Sequence, residues 1–403
     1  MTDSNNNITV LPQDSYLRLF LRFLRFGLLA WGGPVAQIAM IRQELVEEER
    51  WITRESFNRV LAVYQAIPGP EGHELCVYFG MLARGRIGGF LAGLAFMLPG
   101  FVLMFGLSYF YVTFGIATPI FAAVLCGCQP AVAALIIRAV HRIGQHAVTN
   151  RWLGMIATFA GIANLLGTNF LLTLIIAGFA YILIKRRQHI PALFVCTALL
   201  VGMIIFSLNL VDSGRAPAIP SSSITSHASP SLFSLFGYGL RSGLLTFGGA
   251  YTVIPFLQRD AVVVGGWMTN AQFMDGLALS GVLPAPLIIF ATFVGYLGGG
   301  PLGALIITAG IFLPAFAFTL IGYKYLEILV ENKTLQTFLD GVTAGVVGLI
   351  AATTLGLLRT AITSLGALGI FVLSLIVLYW WKAKVAVAVV MLGAGAVGLL
   401  LFR

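Results

Sequence analysis

Apolar runs of about 20 residues, the length that crosses a bilayer as a helix, recur along the whole chain between short polar, glycine- and proline-containing breaks. In the first half they predict spans near 17–34, 57–83, 88–112, 118–140, 151–167 and 169–184. In the second half the spans fall near 232–250, 272–297, 301–323, 335–358, 362–381 and 384–402. A further apolar run, 190–210, has no counterpart and leads into a Pro/Ser-rich stretch, 212–231. That stretch reads as an extramembrane linker.

The pattern is written twice. Gly32-Gly33 recurs as Gly248-Gly249, Trp51 as Trp267, and Pro68-Gly69-Pro70 as Pro284-Ala285-Pro286, each 216 positions on (248 − 32, 267 − 51, 284 − 68). Further along, Leu153-Gly154 matches Leu368-Gly369 at 215 (368 − 153). The expected fold is an all-α integral membrane protein with about 13 transmembrane segments. Its regions are a polar tail (1–16), a first membrane repeat (17–189), a connecting span and linker (190–231) and a second membrane repeat (232–403). One odd span between two sets of six makes the second repeat start on the opposite side. Inverted repeats with discontinuous helices are the arrangement that alternating access exploits.

Composition agrees: 59% of residues are hydrophobic and 10% charged, with a mean hydropathy of +0.94. A soluble domain carries about 25% charge. The net charge of +9 is spread between apolar runs without a basic patch, so no nucleic-acid partner is expected. With the N-terminus cytoplasmic, sixteen Lys and Arg fall inside and seven outside, leaving Arg241 within a span. That is the positive-inside bias. The polar first sixteen residues lack the features of a cleaved signal peptide, so the first span is expected to direct insertion. Cys76, Cys126, Cys128 and Cys196 lie in apolar segments without companion ligands, and no metal or cofactor is expected. The chain has no G-x-x-x-x-G-K-[ST], H-E-x-x-H or G-x-S-x-G, which leaves an ATP motor or an intramembrane hydrolase without support.

Two constellations are candidates for binding. The first is the end of the opening span, Arg25 through Gly32-Gly33-Pro34, with its counterpart Arg241 through Gly248-Gly249. Paired glycines permit positive φ and allow a helix to unwind and expose its backbone. The competing reading is close helix packing through small residues. Arg25 and Arg241 each stand seven residues before the glycine pair, and an arginine in a span snorkels, pairs or binds substrate. The second constellation is the proline break. Pro68 and Pro284 each remove a donor, and a new helix can begin at Pro70 or Pro286. Its unsatisfied N–H groups would then point an anion site at the break. Right after the first break come Glu71, His73 and Glu74, where the second copy has Leu287, Ile289 and Phe290. Titratable groups at membrane depth are candidates for proton coupling; the alternative is a wet helix start that welcomes carboxylates.

The combined pattern resembles the long, two-repeat form of the chromate ion transporter family over almost the whole chain. Phe26-Gly27 through Gly32-Gly33-Pro34 and Pro68-Gly69-Pro70 carry the resemblance, with weaker versions in the second copy. The resemblance implies a multi-pass transporter of the bacterial inner membrane that exports chromate and confers resistance, coupled to protons or to exchange with sulfate. A chromate- or sulfate-like oxyanion and the lipid bilayer are the expected partners, and a homodimer is compatible. Ala285 departs from the glycine usual in the second break, which points to a structural role there. A passive oxyanion channel is the alternative class.

Overall fold

The computed structural model describes residues 14–115, 118–186, 230–322, 332–381, 383 and 385–402. Within them the regular elements are helices. The expected connecting span at 190–210, nearly all of the linker and most of the N-terminal tail lie outside the described residues. Four helical stretches, Glu71–Gly115, Pro119–Ala147, Leu287–Leu320 and Lys333–Ala361, are long and apolar enough to cross a bilayer. Shorter apolar helices cover Phe170–Lys185, Leu365–Trp380 and Ala386–Leu401. The chain is an all-α, multi-pass membrane protein.

Helix α1 (Tyr16–Leu28) is opened by Ser15, whose hydroxyl accepts from the Arg18 N–H at 3.3 Å. Its 13 residues reach only about 20 Å, short of a hydrocarbon core of about 30 Å. The expected span 17–34 is therefore not one helix. The chain breaks at Gly32 and Gly33, with φ of +89° and +76°, and re-forms as α2 (Gly33–Arg42) with Pro34 in its first turn. A π-helical turn, Gln43–Glu48, follows. Helix α3 (Arg54–Ala66) is opened by Thr53, which accepts from the Ser56 N–H at 3.2 Å. It stops before Pro68, which has no N–H to continue it.

Helix α4 (Glu71–Phe110) folds back on itself at Arg84 (φ −144°, ψ 29°) and Gly85 (φ 63°, ψ −160°). A Cβ on Gly80 would lie 2.5 Å from the Gly88 carbonyl oxygen, and one on Gly89 would lie 2.9 Å from that of Val77. In a straight helix residues eight apart stand about 12 Å apart, so the two arms must run antiparallel. The separately predicted spans 57–83 and 88–112 contain these arms. The glycine-rich GRIGGF at 85–90 is thus a hairpin device: Gly85 takes the turn, while Gly88 and Gly89 let the arms touch.

Helices α5 (Pro119–Ala147), α6 (Arg151–Leu165) and α7 (Phe170–Lys185) complete the first half. Asn150 opens α6, accepting from the Trp152 and Leu153 N–H groups, and donates to the Tyr181 hydroxyl on α7 at 2.9 Å.

The second half uses the same local conformations. Helix α8 (Leu232–Leu244) ends before Gly248 and Gly249, with φ of +78° and +114°. After a 3-10 turn (Ala250–Thr252) and the short α9 (Val253–Gln258), a π-helical turn (Arg259–Val264) leads to α10 (Asn270–Gly281). The Thr269–Gln272 capping box is complete, its two bonds 2.9 and 3.2 Å long. Beyond the second proline break a 3-10 turn (Leu287–Ile289) enters α11 (Phe290–Leu320). This helix folds back at Gly299 (φ −153°, ψ 26°) and Gly300 (φ 61°, ψ −152°), and Thr292 and Thr308 hydrogen-bond across its arms at 2.8 Å. Helices α12 (Lys333–Ala361), α13 (Leu365–Trp380) and α14 (Ala386–Leu401) follow.

The chain forms two compact units. One comprises Met1–Arg138, Ser229–Ile328 and Leu358–Arg403. In it α1 lies on α4 so closely that a Cβ on Gly27 would stand 2.4 Å from the Phe96 carbonyl oxygen, and α8 lies on α11 so closely that a Cβ on Gly243 would stand 2.3 Å from that of Ile311. The other unit is Ala139–Ala228 with Leu329–Leu357. There Gly341 and Gly348 bring α12 against the Ala177 and Ala157 carbonyls, around a core of Leu153, Ile156, Ala177, Tyr181 and Ala344.

Candidate functional site

All four predicted breaks lie in the first unit, and they meet crosswise. The Gly69 N–H, from the first proline break, donates to the Thr246 carbonyl beside the second glycine pair at 3.0 Å. The first glycine break faces the second proline break across a cavity of about 50 Å³. Trp31, Gly32, Gly33 and Pro34 form one wall; Ser280, Gly281, Leu283, Ala285 and Leu287 form another, with Tyr251 between.

The glycine pairs serve conformation rather than packing. A Cβ on Gly33 or Gly249 would meet nothing within 4 Å, so space is not what excludes a side chain. Their positive φ values do, since an L side chain is strained there. The freed carbonyls find different partners. Ala30 accepts from the Gln37 side chain at 3.1 Å, whereas Thr246 accepts from Gly69. No charged residue lines the cavity. Its polar groups are the indole of Trp31, the hydroxyls of Tyr251 and Ser280, and the N-terminus of α2, whose backbone N–H groups carry the positive end of a helix dipole. A second recess, about 220 Å³ and more open, lies among Val46, Glu47, Arg50, Ile52, Thr53 and Arg54 and includes no break residue.

The arginines are engaged elsewhere. Arg25 pairs with Glu44, and Arg241 pairs with Asp260. The two carboxylates stand 216 positions apart (260 − 44), as the arginines do (241 − 25). Arg25 is 57% exposed and Asp260 only 2%, so the second pair is the more deeply held. Burial pushes the Glu44 carboxyl above the usual carboxylate range, while Arg25 opposes that. Neither arginine lines the cavity.

The first proline break closes over an acid. Pro70 caps α4, and Glu71, His73 and Glu74 fill its first turn, buried. Among the described residues neither oxygen of Glu74 has a hydrogen-bond partner. The carboxyl lies where a Cβ on Gly69 would be, with Oε1 2.4 Å from that position. The second copy changes both partners together: Ala285 stands for Gly69 and Phe290 for Glu74. With no carboxylate to accommodate, the alanine methyl seats against Gly100 of α4. The wet helix start weighed against proton coupling does not hold for Glu74 or His73, both fully buried. His73 sits among the rings of Phe96, Phe312 and Phe316, at centroid distances of 6.5, 5.0 and 4.7 Å.

Sequence reasoning missed Asp275 on α10, which is 7% exposed. It accepts from the Tyr111 hydroxyl and the Gln129 amide, both at 2.9 Å. An acid within the apolar run 272–297 was the available signal; its partners lie 164 and 146 residues away.

The chromate transporter family model matches residues 17–207 and 233–399. A chromate transport protein of Pseudomonas aeruginosa is 53% identical over 97% of this chain and 94% of its own length. A chromate transport protein of Cupriavidus metallidurans is 26% identical over 100% and 97% respectively. An uncharacterized transporter of Bacillus subtilis, YwrA, is 29% identical and aligns 93% of its length with only 40% of this chain. No solved structure matches the chain.

Proposed function

We propose that this chain, which belongs to the chromate transporter family, exports chromate across the bacterial inner membrane as a secondary active transporter. It is a transporter rather than an enzyme. The crosswise meeting of the four breaks carries the reading, because exposed backbone at membrane depth is tolerated where it lines a cavity. The breaks Gly32-Gly33-Pro34, Pro68-Gly69-Pro70, Gly248-Gly249 and Pro284-Ala285-Pro286 form the region through which the anion passes. Backbone N–H groups at the start of α2 and after Pro286 are its donors, as at other anion-binding helix ends. Two inverted repeats of about six spans each, with an odd connector, rock about this region.

Arg25 and Arg241 draw the oxyanion to the mouths of the breaks, where chromate competes with Glu44 and Asp260 for the guanidinium fork. Glu71, His73 and Glu74 couple export to protons. A buried carboxyl without hydrogen bonds is a costly place for a charge, so Glu74 has reason to exchange a proton when the break opens. Sulfate, a tetrahedral dianion of similar size, is a competitor for the same donors.

Labelled chromate uptake into everted membrane vesicles, energised and then uncoupled, tests the reading. Concentrative uptake that collapses on uncoupling supports energised export, and inhibition by sulfate supports a shared oxyanion site. Chromate that only equilibrates would replace the transporter with a passive channel.

A further inference from the structure

The buried acid of α10 has no place in that scheme, and its surroundings differ from those of the acids that pair with arginine. Glu44 and Asp260 are each held by an arginine. Asp275 pairs with no cation among the described residues and is held by two neutral donors, one on each oxygen. The titratable groups that face it are Tyr111, in the turn after α4, and Cys126 and Cys128 of α5. Helix α14 and the turn Leu287–Ile289, which also pack on α10, carry no titratable side chain, whereas α4, packed on it too, carries Glu71, His73, Glu74, Cys76, Tyr78, Arg84, Arg86 and Tyr109. Helix α11 carries only Tyr296, whose ring packs on Phe105.

We propose that Asp275, held between Tyr111 and Gln129, is a second proton-binding site of the transporter, loaded and emptied in step with the cavity at the end of α10. A hydroxyl both donates and accepts, so Tyr111 serves either state of the acid. It donates to the carboxylate, and when Asp275 takes a proton the acid O–H donates to the Tyr111 oxygen instead. Gln129 donates to the other oxygen throughout. The heavy atoms need not move between the two states, which suits a site that must load and release a proton. The location suits it too. Ser280 and Gly281, at the end of the same helix, line the cavity, about 8 Å along the axis from Asp275. The acid is particular to this half, since the matching position in the first half is the exposed Arg59.

The proposal rests on the transporter reading, so its test has an arm that needs no transport. Infrared difference spectra of the purified full-length protein between alkaline and acidic buffer should show a protonated-carboxyl band that Asp275→Asn lacks. In proteoliposomes the same variant should keep downhill chromate flux but lose accumulation driven by a pH gradient, and Asp275→Glu should restore it. An unchanged band in Asp275→Asn, or undiminished gradient-driven accumulation, would overturn the assignment. Where Asp275→Asn fails to fold, Tyr111→Phe serves. Loss of the switching hydroxyl should move the band's titration midpoint by about one pH unit or more, a tenfold change in proton affinity, and an unmoved midpoint counts against the site. Wild-type vesicles that never concentrate chromate refute the transporter reading, while the infrared arm still shows whether Asp275 binds a proton.

Discussion

Gly243 on α8 gives a sharp test of what holds the break region together. A Cβ at that position would lie 2.3 Å from the Ile311 carbonyl oxygen, 3.1 Å from its carbon and 3.2 Å from its Cα. Real Cβ contacts essentially never fall below 3.0 Å, so Gly243→Ala must part α8 from α11 by at least 0.7 Å (3.0 − 2.3). The obstructing atoms are backbone in a helix, which cannot turn aside as a side chain can. Overpacking of this kind costs about 1–3 kcal/mol, a factor of roughly 5–150 in the folding equilibrium. The same displacement pulls at the Thr246 carbonyl, three residues further on, and at its bond from Gly69. Gly106→Ala is the matched control: nothing lies within 4 Å of a Cβ there, and alanine in a helix interior gains about 0.5–1 kcal/mol over glycine. Thermal denaturation of the two purified variants in detergent should show Gly243→Ala melting below wild type and Gly106→Ala at or above it. Equal melting of both variants would refute the reasoning that backbone contact at the α8–α11 crossing sets this geometry.

Gly300→Ala meets no neighbour within 4 Å but must hold φ at +61° and ψ at −152°, a region open essentially to glycine alone. It should lose about 1–3 kcal/mol in the same melting assay, and an unchanged midpoint would mean that the hairpin turn relaxes freely. Arg241→Ala should abolish chromate resistance while leaving folded protein in the membrane; resistance at the wild-type level removes this arginine from the transport path. Asp260→Asn, which keeps the shape but drops the charge, separates pairing from packing: combined with Arg241→Gln it should destabilise by less than the two single changes added together. At the surface, Arg54 donates to Glu47 and holds its carboxyl below the usual carboxylate range. A carboxyl depressed in the folded state stabilises above its unfolded pKa and loses that contribution as pH falls through the folded value. Arg54→Ala should therefore lower the melting midpoint at neutral pH and have no effect in acid, and an equal drop at both would assign the loss to packing.

Much of this protein was legible in the chain. Runs of about 20 apolar residues announce helices in lipid because every backbone polar group must be satisfied within its own segment. Pro68 and Pro284 end helices by removing a donor, a local effect that the structure has where the residues stand. The glycine pairs unwind as expected because positive φ is a property of the residue itself. Three matters needed the tertiary structure. The span expected at 17–34 became two short helices, since hydropathy averages across a break that backbone torsion resolves. Arg25 and Arg241 had no visible partners in the sequence because Glu44 and Asp260, 19 residues on in each copy, reach them only when the chain has folded back. The crosswise pairing of breaks and the seating of Asp275 between Tyr111 and Gln129 join residues more than a hundred positions apart. Local preferences carry no record of such distance; it is settled only when the helices pack.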